Sequence, residues 1–138
     1  MTKPPLADVP IRSAEELTQR WITLLDPPIF GARSLWLTWL DDGLMLPMVI
    51  PVDDIPLVPR REMLSGLRQM HETVLDAQVL GECHLAMALC RPGRPEITGD
   101  DGMWLEGLAG VLDDQIDGTW SLHVAAAGRV VSLKDWRK

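Results

Sequence analysis

The chain predicts an α/β domain in which helices flank a mixed, mostly five-stranded sheet, and three observations carry that expectation. Helical and extended periodicities interleave in the order α-β-β-α-β-α-β-β. Tight turns at both ends of the strand series demand antiparallel hairpins, which a doubly wound dinucleotide fold does not use. The 138 residues, 46% of them apolar, suit one compact domain with a real core.

Residues 1–12 hold three prolines and little periodicity, so a flexible N-terminal arm is expected ahead of a single domain at 13–138. Ser13-Ala-Glu-Glu16 is a capping box, with Glu16 placed to reach back to the start of the helix. Leu17, Trp21, Leu24 and Leu25 follow at helical spacing, and Asp26-Pro-Pro28 stops a helix over 14–25. Two β-rich runs, Ser34–Leu40 and Leu44–Ile50, flank the Asp-Gly turn at 41–43 and predict a hairpin. Pro47 removes a ladder donor, which assigns the second run to an edge or a bulge. Residues 51–59, with three prolines, read as a loop that either connects elements or meets a partner.

Met63, Leu64, Leu67, Met70, Val74 and Leu75 mark a second amphipathic helix over 60–78, ended by Gly81. A strand at 83–90 comes next. Thr98 is the expected N-cap of a third helix, with Asp100 and Asp101 against its dipole. Trp104, Leu105, Leu108, Val111 and Leu112 form that helix's buried face, and strands at 120–126 and 129–133 close the chain.

A net charge of −7 argues against nucleic-acid binding. No run of about 18 apolar residues and no leader pattern is present, so a soluble, cytoplasmic protein without membrane contact is expected. Ten arginines against three lysines, with no tyrosine, reflect a GC-rich genome and not a mechanism. Cys83 and Cys90 lie seven apart on one strand, about 23 Å, and on opposite faces. They cannot bridge, and buried free thiols are expected.

The element order, with the strand–loop–helix of Cys83–Leu108, resembles the JAB/MPN metallopeptidase-like domain, including its RadC-type members, over about residues 34–133. In that family a strand ends in His-x-His-Pro and a Ser-x-x-Asp opens the next helix, and together they hold zinc. Pro92 matches the motif's proline, and Thr98-Gly-Asp-Asp101 matches the Ser-x-x-Asp spacing. The two histidine positions fall on Leu89 and Arg91, and the hairpin Leu44–Ile50 holds no glutamate to serve as general base. The resemblance therefore implies a degenerate member with no catalytic residues, no zinc and no other cofactor, since neither Leu nor a cation can ligate the ion.

Other chemistry is weighed on single residues. His71, His84 and His123 form no i, i+4 pair and no His-x-His, although His84 and His123 could become neighbours on adjacent strands, with Cys83 or Cys90 nearby. Cys90 beside Arg91 is either a nucleophile or a small core residue. Arg91 and Arg94 ahead of the third helix either bind a small anion or pair internally with Asp100 and Asp101. Trp36 and Trp39 point to opposite faces of one strand, so each face has a covering helix or a second subunit. The expectation is a non-catalytic interaction or scaffold module, homodimeric or bound to a protein partner. Trp36, Trp39 and Met48 are its interface, and Leu89, Arg91, Arg94, Thr98 and Asp101 its relic or anion site. The rivals are a metal- or thiol-dependent hydrolase with displaced catalytic residues and a binding domain for small anions.

Overall fold

The computed structural model describes residues 9–77, 83–116 and 118–135. Among them, helices α1 (Ala14–Leu24), α2 (Arg61–Ala77) and α3 (Gly99–Leu112) alternate with strands β1 (Ser34–Asp41), β2 (Leu44–Met45), β3 (Ile50–Asp53), β4 (Cys83–Cys90), β5 (Gly118–Ala126) and β6 (Arg129–Lys134). The sheet runs β2-β1-β4-β5-β6, with β3 on the same side of β1 as its second outer partner. Only β4 and β5 are parallel, and α3 supplies their crossover. The class is the expected mixed α/β one.

Local chemistry sets each boundary. Ser13 Oγ accepts the Glu16 amide at 3.1 Å, but the Glu16 carboxylate takes the Arg12 amide at 2.7 Å, one residue earlier than the predicted box. Asp42 and Gly43 both have positive φ, 51° and 83°, the geometry of the tightest hairpin turn. Gly118, at φ +100°, starts β5 so close to β4 that a Cβ there would drive into the Cys83 carbonyl.

The second half of the hairpin departs from expectation. A single strand over 44–50 is replaced by two short ones, separated at Leu46–Val49. Pro47 cannot donate, and the chain turns on itself there, with the Met48 amide bonding to Leu46 O at 2.7 Å. The start of the expected 51–59 loop is therefore strand: β3 pairs Ile50–Asp53 with Leu37–Ser34. The helix expected at 60–78 is described only to Ala77, and Gly81 lies outside the described residues. Residues 1–8 of the expected arm also lie outside them. Its remainder is docked: Ile11 is buried, and its amide bonds to Gly43 O at 2.8 Å.

Strand alternation sorts the core into two layers. Leu35, Leu37, Trp39, Leu85, Met87, Leu89, Trp120, Leu122 and Val124 pack under α2 and α3. Leu40, Ala86, Ala88, Cys90 and Ala125 face α1, where Leu17 and Trp21 cover them. Small residues on the α1 side make room for the Trp21 indole. Both faces are thus covered within one chain, and all eight residues of β4 are buried.

Candidate functional site

β4 ends where α3 begins, and Arg91 leaves the strand on the α3 side. Arg91 is 2% exposed, and its guanidinium spends five N–H groups on the chain's own oxygens. Nε and Nη2 take the two carboxylate oxygens of Asp101 at 2.8 Å each, a side-on bidentate pair. Nη2 also bonds to Glu96 O at 2.8 Å, and Nη1 to Arg94 O at 2.6 Å and Pro92 O at 3.2 Å. Gly93, at φ +98°, bends the loop so that these carbonyls converge on the cation.

Asp101 is fully buried and works twice. Its carboxylate accepts the Thr98 amide at 2.9 Å while Thr98 Oγ1 accepts the Asp101 amide at 3.2 Å, a complete capping box. Burial by itself would raise the Asp101 pKa. The hydrogen bonds from Arg91 and Thr98, with the Arg91 charge, outweigh it and hold the carboxyl below its ordinary value. Both partners are therefore committed to each other and to the loop.

The residues that the sequence grouped here meet in part. Arg91, Thr98 and Asp101 converge, and Arg94 contributes its carbonyl while its side chain is exposed. Leu89 lies in the core layer under α2 and α3 and offers no donor atom. These side chains do not fit zinc, because Asp101 is saturated and a cation fills the junction. Among the described residues no group of three His, Cys, Asp or Glu side chains is arranged to hold a metal.

A second polar cluster, which the sequence did not reveal, lies on the α1 face. Parallel pairing sets His84 opposite Thr119, so its Nδ1 meets Thr119 Oγ1 at 2.7 Å and its Nε2 meets Ser121 Oγ at 2.8 Å. His123 Nε2 meets Thr18 Oγ1 of α1 at 2.8 Å, and its Nδ1 is buried with no hydrogen-bond partner among the described residues. Burial, then the charges of Lys134, His123 and His71, pushes His84 down to about 3. Burial pushes His123 down to about 4, against a smaller opposing pull from Asp135. The two histidines are on adjacent strands but four residues apart in register, about 13 Å. Ser121 beside His84 has the atoms of a nucleophile and its base, but the serine is 0% exposed and no substrate reaches it.

His71, on the buried face of α2, is 0% exposed, and its Nδ1 accepts from Trp39 Nε1 at 3.0 Å. Trp39 is sealed in that core and has no surface for a partner, a correction to its interface assignment that follows from α2 covering its face. Trp36 is half-buried against the α1 layer, and Met48 is half-buried against the other. The thiols lie on opposite faces as expected. Burial, with Asp41's charge, raises Cys83 to about 11; burial raises Cys90 to about 12 despite a hydrogen bond with Ser34.

No protein-family model, curated protein or solved structure matches this chain. Among the described residues no helix is long and apolar enough to cross a membrane.

Proposed function

We propose that this chain is a non-catalytic module with a JAB/RadC-like layout that acts through protein contacts and works as a homodimer. One observation carries the reading: the strand-to-helix junction, where such a scaffold does its chemistry, is closed by the saturated Arg91–Asp101 pair. The thiol-hydrolase rival loses support from Cys90, whose raised pKa leaves almost no thiolate near neutral pH. Exposed apolar side chains support a contact role. Leu57 and Val58 sit on the proline-rich segment, and Ile97 and Met103 flank the start of α3. These two segments adjoin through the Trp104 Nε1 bond to Leu57 O at 3.2 Å. Two unpaired cysteines agree with a cytoplasmic setting.

The test is metal analysis of protein purified without chelators, together with sedimentation velocity over a wide concentration range. The expected result is a dimer without stoichiometric zinc. Zinc bound one to one would overturn the non-catalytic reading, and a monomer at every concentration would overturn the homodimeric one.

A further inference from the structure

The two layers of the core are unequally held. On one side α2 and α3 press leucine, methionine and tryptophan side chains against the sheet. On the other side neither of those helices takes part. There α1, alone among the described helices, covers a floor built largely of Ala86, Ala88, Cys90 and Ala125. Such small side chains bury little apolar area, and the hydrophobic gain scales with that area. Segments held by few apolar contacts are the first to open.

A polar bond pins α1 to β5. Thr18 Oγ1 donates to Ala14 O at 3.2 Å, so toward His123 it accepts, and Nε2 carries the proton across their 2.8 Å contact. The other ring nitrogen, Nδ1, is then a bare lone pair, buried with no hydrogen-bond partner among the described residues. A proton arriving there makes a charged ring, on a residue 1% exposed, whose new N–H finds no acceptor. Its surroundings give little relief. β6 sets Ser132 opposite and brings Asp135, whose carboxylate accepts from the Ser132 hydroxyl. β4 sets Ala88 opposite, with Cys90 and His84 further along the strand. On α1, Glu15 and Glu16 are exposed, and Arg20 turns to Val9 O and Met45 Sδ. Asp135 pulls the ring toward its charged form, but burial outweighs that pull. Lifting α1 would give the imidazolium water.

We propose that α1 is an acid-released lid: protonation of His123 lifts the helix and uncovers the face of Ala86, Ala88, Cys90 and Ala125, while the layer under α2 and α3 stays closed. The lid belongs to one chain and is independent of the dimer proposed above.

The two thiols report on it, because Cys90 lies in the α1 layer and Cys83 in the other. Labelling by dithiodipyridine, which attacks thiols even in acid, is followed by peptide mass spectrometry at pH 7, 6 and 5. Dividing the rate in denaturant by the native rate at each pH gives a protection factor free of the thiol's own titration. A histidine at about 4 when covered and about 6.5 when released favours opening about twentyfold more at pH 5 than at pH 7. Protection of Cys90 should fall by that factor while Cys83 keeps its own. His123→Gln, which offers Thr18 a hydrogen-bond partner but takes up no proton, should hold Cys90 protection steady across the range. Thr18→Val removes the pin and should lower Cys90 protection at pH 7 about fivefold, with Cys83 unchanged. Both thiols losing protection together would mean that the whole domain unfolds, and would overturn the lid. So would constant Cys90 protection in the wild type, a fall of the same size in His123→Gln, or no effect of Thr18→Val.

Discussion

Replacing Asp101 with alanine removes the carboxylate that Arg91, a residue 2% exposed, is paired with. Two of the five Arg91 bonds vanish, and the remaining three go to neutral carbonyls. Removing one partner of a buried ion pair costs about 3–5 kcal/mol, because the other charge is left desolvated and uncompensated. The lost acceptor for the Thr98 amide adds less, since that residue is exposed. Against a domain stability of about 5–15 kcal/mol, Asp101→Ala therefore removes a large share. Urea unfolding at pH 7, followed by tryptophan fluorescence and far-UV circular dichroism, measures it. Thr98→Ala, which loses a cap but no charge, should cost only about 1 kcal/mol. Arg91→Met with Asp101→Leu should cost clearly less than the two single losses summed, since no lone charge is buried. An Asp101→Ala cost below about 1 kcal/mol, with additive singles, would refute the idea that the pair closes the junction.

Acid sensitivity follows from the α1-face histidines. His123 and His84, pushed down to about 4 and about 3, stay neutral in the fold while the unfolded chain takes up protons below about 6.5. The unfolded state then binds more protons, so stability must fall as pH drops from about 6.5 toward 4. Unfolding free energies at pH 7, 6 and 5 that show no slope would contradict this. Asp101 adds a further loss only below about 4, because its depressed pKa keeps its contribution intact above the ordinary carboxylate range. Cys83 and Cys90, buried on opposite faces, should ignore a thiol reagent such as dithiobis-nitrobenzoate at pH 8 in the native protein and react fully in denaturant. Rapid labelling of either native thiol would contradict the packing described.

Elements with their own local signals were legible in the sequence. Thr98 announced α3, the Asp-Gly pair announced the hairpin turn, and helical spacing marked α2. The polar clusters were not, since their members are far apart in the chain. His84 and Ser121 are 37 residues apart and meet only because β4 and β5 pair in one particular parallel register. Trp39 and His71 join strand to helix across 32 residues. Arg91 was visible as half of a salt link, but its three carbonyl partners depend on the backbone of the loop, which residue type alone does not specify. The division of the outer strand had a visible agent in Pro47. What that residue did not disclose is that the chain recovers and pairs again at Ile50.

The proline-bearing border of the sheet governs how far copies of this chain can accumulate. Filaments built by backbone stacking need an adhesive rim at each end of every subunit, so that each arrival offers a fresh landing place. Here one rim consists of a two-residue and a four-residue fragment, with imino nitrogens at Pro47 and Pro51. A second molecule stacking on that border would meet breaks and missing donors where it needs an unbroken ladder. Repeated stacking is blocked at that end, and crowded solutions of the protein should hold finite particles in place of fibrils.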